Sequence, residues 1–538
     1  MVSTAHVDTF VLDHLPPREE WPELLFDLPE LHYPERLNCA RELLDRIALT
    51  EPHRPCVRAP GIVWTYEELA EHANRIAHVL VQDMGLVPGN RVLLRAPNTP
   101  MLVAAWFAVL KAGGVVVTTM PLLRARELVP IVEKAQITHA LADGRLAEEL
   151  EEARKARPVL QHVLYWGEGG DLERRAAGKP TRFDAVDTAS QDPCLVAFTS
   201  GTTGQPKGCV HVHRDILAIC DTFGKYVLRA GPDDLFAGSP PLAFTYGLGG
   251  LVTFPMRIGA SSLLLERGAP DVLLQAAAEF GARVLFTSPT AYRAMLPLWA
   301  QHRPRALYKC VSAGEPLPAA TRLAWREATG IEIIDGLGTT EMLHIFVSHR
   351  EEEARPGAIG RAVPGYRVCI LGEGGKTLPP RQIGRLAVRG PTGCRYLADV
   401  RQREYVQHGW NVTGDACWMD EDGYVHYVAR TDDLIISAGY NIAPLEVEEV
   451  LLEHPAVAEC GVVGAPDPER GQIVKAYVVL RPGYAPSIAL VRELQEFVKG
   501  RIAPYKYPRA IEFCEQLPRT LTGKLQRHVL RKRAAIGS

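Results

Sequence analysis

No apolar run in this sequence is long enough to cross a bilayer. The longest helix-like one, Met101 to Leu110, falls well short of the roughly 20 residues a span requires. The N-terminal MVSTAHVDTF lacks the basic start and apolar core of a secretory signal, so the expected location is the cytoplasm. An excess of either charge is missing too: 60 Lys and Arg against 63 Asp and Glu leave a net charge of -3, which argues against a bulk nucleic-acid or membrane binder. The 11 cysteines include no C-x-x-C pair and the histidines no H-E-x-x-H, so no zinc ribbon, redox dithiol or zincin site is expected, and the thiols read as reduced core residues. A Walker A loop, G-x-x-x-x-G-K-[ST], is also absent, which removes the main support for a P-loop kinase or GTPase. There is no internal repeat or low-complexity tract. What remains is a chain of 538 residues with an ordinary globular composition, enough for three or four structural units.

From about Pro55 to Val400 short apolar runs alternate with helical patterns. Arg91 to Asn98 reads as a strand, Met101 to Lys111 as a helix and GGVVVTTM as the next strand, the rhythm of an α/β protein. CLVAFTS, SSLLLE, RVLFTSP and YKCVSAGE continue it, each ending in the polar or Gly-rich residues where open α/β sheets gather ligands. After about Gly360, RVCILG and RLAVRG are strands without long helices between them, as in a small β subdomain packed on the sheets. The pattern shifts again beyond Arg430. The expected architecture is a large N-terminal domain, 1–431, of α/β subdomains plus the β subdomain, followed by a small mobile α+β domain, 432–538. Asp432 is the expected joint, with a rigid turn as the alternative.

The sharpest local signal is Thr199-Ser200-Gly201-Thr202-Thr203-Gly204-Gln205-Pro206-Lys207-Gly208, directly after an apolar strand. Glycines let backbone N–H groups turn toward a polyphosphate, hydroxyls add donors, and Lys207 adds positive charge. Beyond it, carboxylates and glycines recur at strand ends: Ser312-Ala313-Gly314-Glu315-Pro316, Asp335-Gly336-Leu337-Gly338-Thr339-Thr340-Glu341 and Thr413-Gly414-Asp415. Singly these have plain alternatives: Asp415 a turn aspartate, Glu341 a surface carboxylate, Lys524 one base in a basic tail.

In order and spacing these motifs resemble the adenylate-forming superfamily of acyl-CoA synthetases, peptide-synthetase adenylation domains and luciferases. Arg430-Thr431-Asp432-Asp433 resembles its hinge segment, and Pro518-Arg519-Thr520-Leu521-Thr522-Gly523-Lys524 its C-terminal loop with the catalytic lysine. The resemblance covers Pro55 to Arg531. It implies ATP, Mg²⁺ and coenzyme A as co-substrates and cofactor. Thr199, Ser200, Gly201, Thr202, Thr203 and Lys207 would hold the β- and γ-phosphates, Thr340 the α-phosphate, and Glu341 the Mg²⁺. Gly314, Glu315 and Pro316 would lie against adenine and Asp335 would accept from its amino group, with Gly336, Leu337, Gly338 and Thr339 alongside. Asp415 would bind the ribose hydroxyls, with Arg430 and Tyr427 nearby. Lys524 would sit between the substrate carboxylate and the α-phosphate, stabilising charge during transfer. The family's usual aromatic residue before G-x-T-E is Leu337 here, so adenine is expected to pack on an aliphatic face.

The acid pocket implied by the resemblance lies between Phe244, Thr245, Tyr246, Gly247 and Leu248 on one side and Gly338 to His344 on the other. Gly247, Gly249 and Gly250 are expected to leave room for a flat ring. Core packing remains the alternative for Tyr246, Leu248 and His344. FTYGLGG with GTTEMLHIF resembles aryl-CoA ligases of the benzoate type, and with the segment Asp27 to Ala40 the chain looks most similar to the 2-aminobenzoate (anthranilate) CoA ligases. Thr245, Tyr246 and His344 are candidate acceptors for the ortho N–H. For the second step the family rotates its small domain and brings in Ser437, Ala438, Gly439 and Tyr440 to pass pantetheine. Benzoate or a hydroxybenzoate as the acid, a carrier protein in trans as the acceptor, a homodimer, and a binding protein that has lost the chemistry all stay open.

Overall fold

The computed structural model describes residues 3–167, 170–199, 206–437, 440–467, 470–502, 504–520 and 523–536, with only the backbone described at 440, 441 and 536. The chain divides into two compact units, one of residues 1–368 with 388–411, the other of 369–387 with 412–538. Asp432 lies inside the second.

Two large sheets build the first unit. One has six strands in the order His162–Trp166, His139–Asp143, Arg91–Arg95, Val115–Thr119, Pro193–Thr199 and Lys207–Val212, parallel except for the last antiparallel pair. The other has nine, running Arg361–Ala362, Ile345–Ser348, Ile333–Gly338, Lys309–Ala313, Val284–Thr287, Leu235–Gly238, Ser261–Leu263, Pro55–Ala59 and Ile62–Thr65, parallel through its centre. The central strands are buried on both faces, which is why they read in sequence as continuous apolar runs rather than alternating ones. Helices start where the sequence supplies caps: Thr99 accepts from Leu102 N–H ahead of Pro100–Lys111, and Thr65 with Glu68 forms a capping box at Tyr66–His78. Helices Pro270–Phe280, Pro289–Met295 and Ala319–Thr329 contribute to a core in which Tyr292 and Trp325 are fully buried and meet edge-on at 4.8 Å. The strands expected of a small β subdomain form, Arg367–Leu371 and Gly384–Arg389 among them, in a five-stranded sheet.

In the second unit Val457–Asp467, Gly471–Leu480 and Ala510–Phe513 make a three-stranded sheet. Helices Pro444–Leu452 and Ile488–Lys499 pack into one apolar cluster with it. The basic tail forms the helix Arg527–Ile536, tied down by Arg527 to Glu448 (2.5 Å) and by Arg531 to the Asp432 carbonyl (2.7 Å) and the Asp433 carboxylate. No helix among the described residues is long and apolar enough to cross a membrane.

Candidate active site

Two of the sequence motifs become neighbours because parallel strands end together. Ser312 is in register with Asp335, and Ala313 with Gly336. The chain turns away at Gly314 in the left-handed region (φ +88°), which glycine adopts without strain, and Thr290 Oγ1 donates to Glu315 Oε2 at 2.7 Å. Asp335 is buried; loss of hydration pushes its carboxyl up to about 7, against the opposing pull of Arg322.

The loop after Gly338 is held from several sides. Thr339 Oγ1 accepts from Met342 N–H at 3.2 Å and lies 3.1 Å from the Tyr405 hydroxyl. Leu343, fully buried, takes φ +68°, a conformation costly for a branched side chain and kept where surrounding structure over-determines it. The Thr340 carbonyl accepts from His211 Nε2 at 2.8 Å. Burial alone would lower the His211 pKa, but Cys209 and Asp215 outweigh it and raise it to about 9. Asp215 in turn accepts from Arg395 at 2.7 Å, and all three side chains are fully buried. Glu341 is buried and accepts from the Tyr396 hydroxyl, which also accepts from Lys207 Nζ at 3.0 Å; Lys207 Nζ and Glu341 Oε1 are 3.9 Å apart.

Lys207 faces Thr199 across the hairpin whose loop carries the expected phosphate-binding residues. Ser200, Gly201, Thr202 and Thr203 themselves lie outside the described residues. Its far end is pinned at Pro206, whose carbonyl accepts from Lys134, a residue also paired with Asp399.

The segment Phe244 to Leu248 forms a short helix, Thr245–Leu248, with Phe244 at its N-cap position, in the first unit. Asn98 locks the loop before it, donating to the Pro240 carbonyl (3.0 Å) and accepting from Leu242 N–H (2.8 Å). The Tyr246 hydroxyl lies 3.1 and 3.0 Å from the Thr287 and Val311 carbonyls, so its one proton is engaged by the backbone. His344 is buried among Phe254 (4.6 Å, edge-on), Phe223 (5.6 Å) and Tyr246 (5.7 Å). Burial lowers its pKa to about 3, against the weaker opposing pull of the Tyr246 backbone, so the ring is neutral. The expectation that three glycines leave room for a ring is corrected here. A Cβ on Gly247 would stand 2.2 Å from the Pro241 carbonyl oxygen, on Gly249 2.3 Å from the His344 ring, and on Gly250 2.7 Å from the Phe286 ring. These glycines permit close packing of protein on protein.

In the second unit Asp415 and Arg430 face each other across a hairpin, joined at 3.1 Å, and Arg430 also donates to the Thr413 carbonyl at 3.0 Å. The intervening Gly414 has φ +74°, and a Cβ there would lie 3.0 Å from the guanidinium. Tyr427 follows on the same strand as Arg430, paired with Cys417. Asp432 stands between two guanidinium groups, Arg531 at 3.8 Å and Arg430 at 3.9 Å. Lys524 is exposed; its carbonyl accepts from Thr520 N–H (2.7 Å), and Arg519 donates to Gly523 O (2.6 Å). Ser437 is buried at the end of Ile435–Ser437; Ala438, Gly439 and the Tyr440 side chain lie outside the described residues.

Sequence reasoning missed Tyr396, His211 and Asn98, whose partners are distant in the chain. It also found no soft-ligand cluster, whereas Cys39, Cys194 and His213 come together, buried, with ligand atoms within 4.8 Å of one another. There His213 Nδ1 already accepts from Cys39 N–H at 3.2 Å, so the trio is a hydrogen-bonded part of the core.

The model of the AMP-binding enzyme family matches residues 44–396, and that of the AMP-binding enzyme C-terminal domain matches 446–524. A benzoate–CoA ligase of Thauera aromatica is 33% identical over 512 residues, covering 94% of this chain and 97% of that protein. The crystal structure of the anthranilate CoA ligase AuaEII in complex with anthranoyl-AMP superposes with a TM-score of 0.91 at 33% identity, covering 95% of this chain and 99% of that one. A benzoate CoA ligase from Burkholderia xenovorans LB400 gives 0.85 at 32% identity, covering 92% and 100%.

Proposed function

The chain belongs to the AMP-binding enzyme family, as an acid–thiol ligase of its aryl-CoA ligase branch, and we propose that the acid it activates is 2-aminobenzoate (anthranilate). The observation that carries this reading is the neutral His344 ring in an aromatic surround. A nitrogen lone pair there can accept an ortho N–H, whereas Tyr246 has its hydroxyl committed to two carbonyls. The likeness to the anthranoyl-AMP complex supports it.

In the first step a carboxylate oxygen attacks the α-phosphorus of ATP and pyrophosphate leaves, giving anthranoyl-AMP. Lys207 and the loop from Thr199 take the charge of the β- and γ-phosphates, Thr340 donates to the α-phosphate, and Asp335 accepts from the adenine amino group beside Gly314, Glu315, Pro316 and Leu337. Asp415, oriented by Arg430, accepts from the ribose hydroxyls, with Tyr427 alongside. Lys524 neutralises charge between carboxylate and phosphate. The donor set at Glu341 suits a hard cation: Oε1 takes the Tyr396 hydrogen bond, while Oε2 takes none from any described residue. Glu341 would hold the magnesium ion that accompanies ATP, which supplies neutralisation of phosphate charge.

In the second step the thiol of coenzyme A loses its proton and attacks the acyl carbon, and AMP leaves. For this, residues 432–538 turn about Asp432 relative to 1–431, withdrawing Lys524 and bringing Ser437 to Tyr440 to the pantetheine arm. Small residues at 438 and 439 let that arm pass close to the backbone.

The test is acid-dependent pyrophosphate release from MgATP with anthranilate, benzoate, salicylate and an aliphatic acid, with and without CoA, and the acyl product followed by mass. Anthranilate preference with thioester formed only when CoA is present is the expected result. A preference for benzoate or salicylate moves the acid, pyrophosphate without thioester moves the acceptor to a carrier protein, and no release with any acid overturns the reading.

A further inference from the structure

Tyr396 belongs to none of the motifs described above, yet its position is fixed from several sides. The side chain is 1% exposed. Its backbone bridges to Cys209, its N–H donates to Gln402 Oε1 at 2.9 Å, and its neighbours bond on both sides to the strand that begins at Lys207: Val210 N–H to Arg395 O, and Leu397 N–H to Gly208 O, each 2.8 Å. Its ring meets that of Tyr405 edge-on at 5.8 Å. The hydroxyl is thereby delivered between an ammonium group and a carboxylate.

The direction of the hydrogen bonds there follows from chemistry. An ammonium has only donors and an ionised carboxylate only acceptors, so the single phenolic proton goes to Glu341 Oε1 and the phenolic lone pair receives Lys207. Lys207 Nζ is kept 3.9 Å from Glu341 Oε1, beyond the roughly 2.8 Å of a direct charge-assisted bond. Without the hydroxyl nothing would stop the ammonium from closing that gap, and a carboxylate bonded directly to lysine is a poorer ligand for a cation.

We propose that Tyr396 is a positioning residue that holds Lys207 and Glu341 apart, keeping the carboxylate free for a divalent cation and the ammonium free for phosphate. This rests on the reading of Glu341 as the cation ligand.

The test uses the full chain with Mn²⁺ and ATP and no acid, so that no turnover occurs, and measures free Mn²⁺ by electron paramagnetic resonance. Tyr396→Phe removes one oxygen and keeps the ring, and its melting temperature without ligands checks the fold. It is expected to weaken Mn²⁺ binding about tenfold, the scale of one hydrogen bond to a charged group. Glu341→Gln is expected to weaken binding at least as much, and the double variant no further than Glu341→Gln alone. In a Lys207→Gln background the effect of Tyr396→Phe should shrink, because the group that would collapse onto the carboxylate is gone; a purely structural role would not depend on residue 207. Binding within twofold of the parent for Tyr396→Phe, with Glu341→Gln impaired, overturns the role of Tyr396 and leaves Glu341 standing, as does full additivity in the double variant. Unimpaired binding by Glu341→Gln removes the cation ligand itself, and the proposal with it.

Discussion

Gly249→Ala puts the acid pocket to its most direct test. The new methyl carbon would stand 2.3 Å from Cδ2 and 2.5 Å from Nε2 of His344, closer than carbon atoms approach in folded proteins. The imidazole has little room to retreat, because Phe254 meets it at 4.6 Å while Phe223 and Tyr246 stand at 5.6 and 5.7 Å. Overpacking of this kind costs about 1–3 kcal/mol, shared between the fold and whatever the displaced ring was contacting. If His344 faces the aryl acid, most of that cost appears as a loss of roughly 10–100-fold in kcat/KM for the acid, since 1.4 kcal/mol is tenfold. KM for MgATP should stay within about twofold, because the altered contact involves no nucleotide motif. The assay is pyrophosphate exchange at varied acid and fixed MgATP, then the reverse, with thermal unfolding in parallel. His344→Ala should empty the space the methyl needs, so the double variant should melt higher than two independent losses predict. A lowered melting temperature with unchanged acid kcat/KM would refute the placement of His344 at the acid, and no change in either would refute the packing argument itself.

Asp335, with its carboxyl near 7, should make KM for ATP rise as the pH falls below 7, because the protonated acid no longer offers a free carboxylate to the adenine amino group. Asp335→Asn, whose amide oxygen accepts at every pH, should flatten that profile, and an identical slope in the variant would exclude Asp335 as its source. Asp215→Asn leaves the buried Arg395 guanidinium without its anion and should destabilise the protein by about 3–5 kcal/mol in chemical denaturation; a loss under 1 kcal/mol would refute the reading of Asp215 as the partner that Arg395 depends on. Lys524→Ala should lower adenylation by roughly 100-fold or more with an unchanged melting temperature, as expected of an exposed charge acting on a transition state, and an unaltered rate would remove its role. Asp432→Pro should impair thioester formation more than adenylation, and equal loss of both would count against a turning joint.

The residues legible in the sequence are those whose signal is local. The strand and helix between Arg91 and Lys111 declare themselves by an apolar run, a Pro and a capping Thr within a few positions. The nucleotide motifs read out in order because each is a single strand end with its own glycines and hydroxyls. Tyr396, His211 and Asn98 act on residues 55, 129 and 144 positions away, and their surroundings in the sequence look like ordinary strand and loop. The glycines near 249 were visible, but composition says only that a side chain is missing. Whether ligand or protein takes the space is decided by Pro241, His344 and Phe286, which come from three separate elements.

Asn98 lies in the loop between the strand Arg91–Arg95 of the six-stranded sheet and the helix Pro100–Lys111, yet both of its amide hydrogen bonds fix the loop that opens the Phe244 segment. On the proposed reading, acid preference would therefore not be a portable cassette. A relative's 240–254 segment grafted onto this chain would land in a frame set by an amide in a loop that follows a strand of the other sheet, and a donor built around a different residue there would bring its loop in misaligned. On that reading, changing the acid would mean exchanging position 98 together with the segment it braces.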